Sequence, residues 1–193
     1  MKLYLIRHGQ TESNFRGTFT GQCDVALTDE GRNQAQRLQP ILSEISFDRV
    51  YSSDLSRAIE TQRLALPGVE GVRTPLLREI HVGSIECVPY SIPKKGIPDW
   101  AQMIRTEGYA RFGGESVQDV EKRVKKFLDM QLENPCENVV AFVHNGIMGI
   151  TMNLVLGANI DRGALRTNNC AINVFEHDGK LWRLLAWNYK GNV

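Results

Sequence analysis

Short apolar runs alternate with amphipathic segments along the chain, and this alternation predicts the architecture. Apolar runs that predict strands lie at 3–6, 47–51 and 138–143. Apolar residues at helical spacing predict helices over 29–44, 54–65, 115–132 and 147–156, with a further helix around 99–107. The segments 171–176 and 181–187 flank an Asp-Gly turn and predict a terminal hairpin. Strands that alternate with helices favour an α/β fold, a three-layer α/β/α sandwich with a mostly parallel sheet.

The connections between these elements are unusually long in two places. The segment 8–27 is rich in Gly, Thr, Ser and Asn and lacks periodicity, which is typical of a functional loop. Thr28 follows it as the predicted N-cap of the next helix. Residues 69–100 are predicted to be mostly loop, with a short strand near Val72. An insertion at about 85–113, which overlaps the end of this loop, is a candidate lid.

Composition narrows the class of protein. A length of 193 residues predicts a single domain over 1–193. A formal net charge of +1 gives no global field that would attract nucleic acid or a membrane surface. The four cysteines are scattered without a CxxC pair, which predicts free thiols in a cytoplasmic protein. We expect neither a signal peptide nor a transmembrane span.

Polar residues follow three of the predicted strands. Arg7 and His8 end the first, Arg57 follows the second, and His144 ends the third. Because the carboxyl ends of parallel strands share one edge of a sheet, these four side chains are expected to converge. Two guanidinium groups and two imidazoles suit a phosphate dianion, with one imidazole as nucleophile and an acid to protonate the leaving group.

A series of short motifs in order along the chain strengthens this interpretation. They are Leu5-Ile6-Arg7-His8-Gly9-Gln10-Thr11, Leu27-Thr28-Asp29-Glu30-Gly31, Tyr51-Ser52-Ser53-Asp54-Leu55-Ser56-Arg57-Ala58, Leu77-Arg78-Glu79-Ile80, Gly114-Glu115-Ser116 and Val143-His144-Asn145-Gly146. The set resembles the histidine phosphatase superfamily, also called phosphoglycerate mutase-like, over nearly the whole chain. The similarity is greatest to small members such as ribazole phosphatases and broad-specificity phosphatases.

The resemblance implies a role for each matching residue. It implies that His8 is the phosphorylated nucleophile and that Glu79 is the acid that protonates the leaving group and then activates water. It further implies that no metal or other cofactor is needed. The expected phosphate-binding residues are Arg7, Asn14, Arg57, His144 and Asn145, and the expected substrate-binding residues are Thr20 and Gly21.

Several residues have alternative interpretations. Glu86 and Glu115 are alternatives to Glu79 as the acid. Trp100, Met103, Tyr109 and Phe112 either pack in a core or line a leaving-group pocket under the lid. His81 and His177 are interpreted as surface or structural residues, and the charges of 121–126 as a solvated helix face.

Three functions are compatible with these motifs. Hydrolysis of a small phosphomonoester is favoured over phosphoglycerate mutase activity, because the insertion is short and a mutase must shield its intermediate from water. The third is a non-catalytic module that binds a phospho-ligand or a partner. The chain departs from the family pattern in three places. Gly149 stands where the family often has Arg, Ile85-Glu86-Cys87 replaces a usual aromatic-Glu-Gly, and the usual His after Asn188 is missing. We expect a monomer or a homodimer.

Overall fold

The computed structural model describes residues 1–161, 164–165 and 167–190, so parts of the predicted domain 1–193 lie outside the described residues. The strands are β1 Lys2–Arg7, β2 Arg49–Ser53, β3 Val72–Thr74, β4 Asn138–Val143, β5 Ile172–His177 and β6 Trp182–Tyr189. They form one sheet in the order β3-β2-β4-β1-β5-β6. The pairs among β1 to β4 are parallel, and β5 and β6 add an antiparallel edge.

Eight helices connect or follow the described strands. They are α1 Glu12–Arg16, α2 Asp29–Gln36, α3 Gln39–Leu42, α4 Ser56–Ala65, α5 Ser91–Lys95, α6 Trp100–Thr106, α7 Val117–Glu133 and α8 Asn145–Leu156. None of these helices combines the length and the apolar character that crossing a membrane requires.

The central strand β4 shows how the sequence divides the helices between two layers. Its side chains alternate in direction, as in any strand. Val139, Ala141 and Val143 pack in one buried cluster with α7 and α8. Val140 and Phe142 pack in the other, with α2, α3 and α4. All five side chains are fully buried, so both faces of the sheet are covered and the predicted three-layer α/β/α fold is confirmed.

Several boundaries differ from those that the pattern predicted, most of them by one or two residues. The predicted helix 29–44 is two helices, because the chain turns at 37–38 before α3 begins at Gln39, with Pro40 in its first turn. The predicted loop 8–27 contains α1, which Thr11 and Asn14 cap reciprocally. The second strand begins at Arg49 rather than at Phe47. The N-cap at Thr28 is confirmed, since its hydroxyl accepts from the Gly31 N–H at 3.0 Å.

The insertion at 85–113 is a set of short helices joined by turns. An aromatic cluster with Phe19 at its centre joins it to the loop that follows α1. Phe19 lies 5.8 Å from Trp100 and 6.2 Å from Tyr109, measured between ring centroids. Phe112 packs against Trp100 with the ring centroids 5.9 Å apart. Trp100 and Phe112 therefore pack in a small core, whereas Tyr109 also reaches the cavity described below.

Candidate active site

The carboxyl ends of β1 and β4 bring two histidines together. The strands pair in parallel register from Lys2 with Asn138 to Arg7 with Val143, so His8 and His144 are the next residues on each. The His8 N–H donates to the Val143 carbonyl at 3.0 Å. The imidazole rings then lie 5.1 Å apart, centroid to centroid. The predicted convergence of residues 136 positions apart is thus a direct consequence of strand register.

Two arginines lie beside these histidines with little exposure to solvent. Arg57, on the first turn of α4, is 1% exposed. Its Nη1 and Nη2 each donate at 2.8 Å, to the carbonyls of Cys23 and Gly21 respectively. Arg7 donates through Nη1 to the Thr167 carbonyl. The Nε atom of each guanidinium is buried without a hydrogen-bond partner in the described part of the chain.

These groups surround a cavity of about 220 Å³ at the sheet edge. Eight of the nine site residues predicted from the sequence line it: Arg7, His8, Asn14, Thr20, Gly21, Arg57, Glu79 and Asn145. The ninth, His144, is fully buried next to His8. A larger cavity of about 620 Å³ lies between α3, α4 and β2, but no ionisable side chain lines it. The smaller cavity is therefore the candidate active site.

The hydrogen bonding of His8 leaves one ring nitrogen available. Its Nδ1 lies 2.7 Å from the Gly9 carbonyl, which can only accept, so Nδ1 carries the proton. Burial, and then the charges of Arg57 and Arg7, hold the pKa of His8 well below its usual value. The ring is therefore neutral near pH 7, and Nε2 has a free lone pair.

His144 has no such partner. Both of its ring nitrogens are buried without a hydrogen bond among the described residues. Burial and the charge of Arg57 are the main causes that lower its pKa well below the usual value. Unpartnered polar atoms are costly in a protein interior. The ring nitrogens of His144, together with Nε of Arg7 and Nε of Arg57, therefore indicate a binding site for an anionic ligand that accepts hydrogen bonds.

Glu79 is the acidic side chain that reaches the cavity. Its Oε1 accepts from the Ile80 N–H at 2.8 Å, and its Oε2 accepts from the Gly146 N–H at 3.2 Å. The alternatives are held elsewhere among the described residues. Glu86 accepts from the Gln22 N–H, and Glu115 pairs with Arg123. Neither lines the cavity.

The remaining predicted residues line the rim. Asn14 accepts at Oδ1 from Thr11 N–H and from Asn169 Nδ2, at 3.2 and 3.1 Å. Its role in capping α1 thus coexists with its place on the cavity wall. Asn145 is exposed and accepts from the Thr167 hydroxyl. The carbonyl of Gly21 is already bound to Arg57, so Arg57 shapes this loop.

Sequence reasoning missed several residues around the site. Thr61 accepts from the Gly9 N–H at 3.0 Å and donates to the Arg57 carbonyl, which links two of the predicted motifs. Its spacing of four residues from Arg57 on one helix face was the available signal. Phe19 and Tyr90 form an aromatic wall of the cavity together with Tyr109. Tyr109 was among the expected pocket-lining residues, whereas no periodic pattern in the sequence marked Phe19 or Tyr90.

One interpretation of the charged residues was wrong. Arg123 belongs to the segment 121–126 that was expected to be a solvated helix face, yet its side chain is 14% exposed and paired with Glu115. His81 and His177 lie outside the cavity lining, in line with the structural interpretation. No group of three or more His, Cys, Asp or Glu side chains within 1–161, 164–165 and 167–190 is placed to bind a metal ion.

Comparison with known proteins places the chain in a broad group of phosphate-handling enzymes. A sequence model of the family described as "Histidine phosphatase superfamily (branch 1)" matches residues 3–190. The "Adenosylcobalamin/alpha-ribazole phosphatase" of Salmonella typhimurium is 30% identical over 161 residues, with 78% of this chain and 77% of that protein covered. The "Probable phosphoglycerate mutase GpmB" of Serratia proteamaculans is 31% identical, with 97% and 90% covered.

Solved structures agree with this placement. A mycobacterial glucosyl-3-phosphoglycerate phosphatase in complex with VO3 superimposes with a TM-score of 0.87 at 27% identity, covering 97% of this chain and 98% of the other. The alpha-ribazole phosphatase of Shigella flexneri gives a TM-score of 0.85 at 26% identity, covering 98% and 97%.

Proposed function

The chain belongs to the histidine phosphatase superfamily, and from this premise we propose that it hydrolyses a small phosphomonoester through a phosphohistidine at His8. In the first step, Nε2 of His8 attacks phosphorus. The N–P bond forms as the ester P–O bond breaks, and the electron pair leaves with the ester oxygen. Protonated Glu79 gives its proton to that oxygen, so an alcohol departs rather than an alkoxide.

In the second step, water attacks the phosphohistidine. Glu79, now a carboxylate, takes a proton from the water as it approaches phosphorus. The N–P bond breaks, its electron pair returns to Nε2, and inorganic phosphate is released. Glu79 is then protonated and His8 is neutral, as at the start.

The remaining groups act on the phosphoryl oxygens. Charge develops on three equatorial oxygens during transfer, and donors aimed at them lower the barrier. Nε of Arg7, Nε of Arg57 and the ring nitrogens of His144 have no hydrogen-bond partner among the described residues, so their N–H groups are available to the phosphoryl oxygens. Burial lowers the pKa of both arginines, but the pKa of a guanidinium is so high that both keep their charge at neutral pH.

One observation supports this proposal above the others. His8 presents a neutral ring with a free Nε2, and the cavity that it lines also contains Glu79 and both arginines. A module that only binds a phospho-ligand needs the cations, but it needs neither a nucleophile with one fixed tautomer nor an acid held by two amides.

Turnover of p-nitrophenyl phosphate tests the proposal. The wild-type chain is expected to release p-nitrophenol without added metal, and His8→Ala is expected to abolish this release. His177→Ala is the matched control, because its ring packs on Trp182 outside the cavity. A wild type without turnover on this substrate and on a panel of metabolite phosphomonoesters would favour the binding module.

Phosphoglycerate mutase activity is the second candidate, since relatives with that name are 29–31% identical over nearly the whole chain. A mutase must bind the carboxylate of its substrate as well as the phosphate. Arg7 and Arg57 are the only cationic side chains among the described residues that line the cavity. This favours hydrolysis. Conversion of 3-phosphoglycerate to 2-phosphoglycerate faster than release of inorganic phosphate would reverse that preference.

A further inference from the structure

The segment that carries Glu79 has little regular structure of its own. It leaves β3 through a 3-10 turn at Pro75–Leu77, and the next 3-10 turn begins at Gly83. Among the described residues, the carboxylate of Glu79 accepts hydrogen bonds from two backbone amides, those of Ile80 and Gly146. Its position at the leaving group therefore depends on where the backbone of residues 76–81 lies.

Arg123, which projects from α7, holds that backbone. Its Nη1 donates to the carbonyls of Leu76 and Arg78 at 2.9 and 2.7 Å. Its Nη2 donates to the Glu79 carbonyl at 3.2 Å. One guanidinium therefore binds three carbonyl groups along the four residues that end at Glu79.

Glu115 completes the arrangement. Nε of Arg123 donates to its Oε1 at 2.7 Å, and Nη2 donates to its Oε2 at 3.0 Å. Together with the three carbonyl contacts, these bonds use all five N–H donors of the guanidinium. Oε2 of Glu115 also accepts from the His81 N–H at 2.8 Å, on the other side of Glu79. The two side chains are 14% and 19% exposed, so solvent screens the pair weakly.

We propose that Arg123, anchored by Glu115, is a positioning residue that places the Glu79 carboxyl at the leaving-group oxygen. The inference rests on the proposed role of Glu79 as general acid. A lysine could not replace Arg123, because an ammonium has three donors at one point whereas the planar fork spans three carbonyls. An ion pair that served stability alone would need no contact with the carbonyl groups of 76–79.

The leaving group provides the test. A p-nitrophenolate departs without full protonation, whereas the alkoxide of glycerol phosphate needs the acid. The measured quantity is kcat/KM, since it reports the steps through loss of the leaving group and excludes hydrolysis of the phosphohistidine. For Arg123→Lys, we expect kcat/KM to fall at least about tenfold more on glycerol phosphate than on p-nitrophenyl phosphate. Glu79→Gln is expected to show the same selectivity more strongly.

Three further variants make the experiment decisive. In the double variant with Glu79→Gln, Arg123→Lys is expected to add no further selectivity, since its effect acts through Glu79. Arg111→Lys, which alters an exposed Arg–Glu pair with an N–O distance of 3.1 Å, is expected to match the wild type on both substrates. Should Arg123→Lys fail to fold, Glu115→Gln removes the anchor charge and is expected to show the same direction of selectivity.

Equal losses on both substrates, or selectivity that adds to that of Glu79→Gln, would overturn the positioning role and leave a structural ion pair. If Glu79→Gln itself shows no selectivity, the proposed acid is wrong and the inference falls with it. If the wild type turns over neither substrate, the proposed function is wrong. The three failures thus give different results.

Discussion

At the end of the cavity that is proposed to bind phosphate, the phosphate end, each side chain lies at the end of a strand or at the start of a helix that packs on the sheet, whereas the outer wall comes from loops and short helices. Arg7 ends β1, His8 and His144 follow β1 and β4, and Arg57 lies in the first turn of α4. The outer wall is Phe19, Tyr90 and Tyr109, of which Phe19 follows α1 and the other two come from the insertion. Hydrogen bonds of the sheet and of the helix start position the side chains of the phosphate end. Packing between aromatic side chains positions the outer wall. We therefore expect changes at the phosphate end to remove activity and changes at the outer wall to alter selectivity.

Among variants that keep His8, Arg57→Ala is expected to give the largest effect. It removes a buried charge beside the phosphoryl group and releases the carbonyls of Gly21 and Cys23. We expect kcat/KM for p-nitrophenyl phosphate to fall on the order of 1,000-fold. Arg57→Lys should recover part of the loss, because it keeps the charge without the fork. Arg37→Ala, at an exposed arginine of α2's C-terminus, is the control. If kcat/KM of Arg57→Ala fell less than tenfold, the phosphate end would tolerate substitution as well as the outer wall does.

Gly146→Ala tests how closely the segment with Glu79 and Ile80 must fit against the start of α8. A Cβ at this position would come within 2.7 Å of Ile80 Cδ1 and would also meet Glu79 Oε1. The acid would shift, and a misplacement of this size costs up to about 100-fold in rate. Gly96→Ala adds its Cβ into open space within the insertion and should leave kcat/KM unchanged. Equal kinetics for the two variants would show that Glu79 does not need its contact with α8.

The buried histidines predict how stability depends on pH. Their pKa values lie below that of an unfolded histidine, so below about pH 6.5 the unfolded chain binds more protons than the folded one. The free energy of unfolding should therefore be highest above that pH and decrease as the pH falls through it, by about 1.4 kcal/mol for each pKa unit of difference.

Urea unfolding at a series of pH values measures this slope. His8→Gln removes one of the two groups and should make the slope shallower. His177→Gln, at a histidine outside the cavity, should retain it. A slope that His8→Gln leaves unchanged would contradict the buried, neutral state of that ring.

Tyr90→Phe is expected to give the smallest effect, and one of a different kind. Burial raises the pKa of Tyr90, so its hydroxyl is a neutral donor on the outer wall. Loss of one such hydrogen bond to a leaving group changes kcat/KM about two- to tenfold. We expect this change for some substrates of a metabolite panel and not for p-nitrophenyl phosphate. Tyr189→Phe, on the exposed face of β6, is the control. A uniform loss across the panel would place Tyr90 with the phosphate end instead.

The same contrast explains what the sequence could and could not predict. The apolar run 138–143 became β4 with those bounds, because a strand buried on both faces has a continuous apolar pattern. His8, Arg57 and His144 could be located because each follows or lies close to such a run. Glu79 could not be found in this way, since its segment has no periodicity and only the resemblance to a known family identified it.

Arg123 shows the limit of pattern reading most clearly. It lies next to Val124 on α7, among charged neighbours that are exposed, and nothing in the helical spacing separates it from them. Its partners are carbonyl groups 44 to 47 positions away, and backbone acceptors leave no trace in a sequence. The split of 29–44 into two helices was also hidden. Pro40 is tolerated both in the first turn of a helix and between two helices, so its presence did not locate the break.

Rapid quenching of the wild-type chain during turnover is the most direct test of the mechanism. The chain is mixed with ³²P-labelled substrate, quenched in base within one turnover, and mapped by peptide mass spectrometry, because phosphohistidine is labile in acid and stable in base. If His8 is the nucleophile, we expect label on the peptide with His8, no label in His8→Ala, and release of the label as inorganic phosphate. Label on His144, or full turnover without labelled protein, would contradict it.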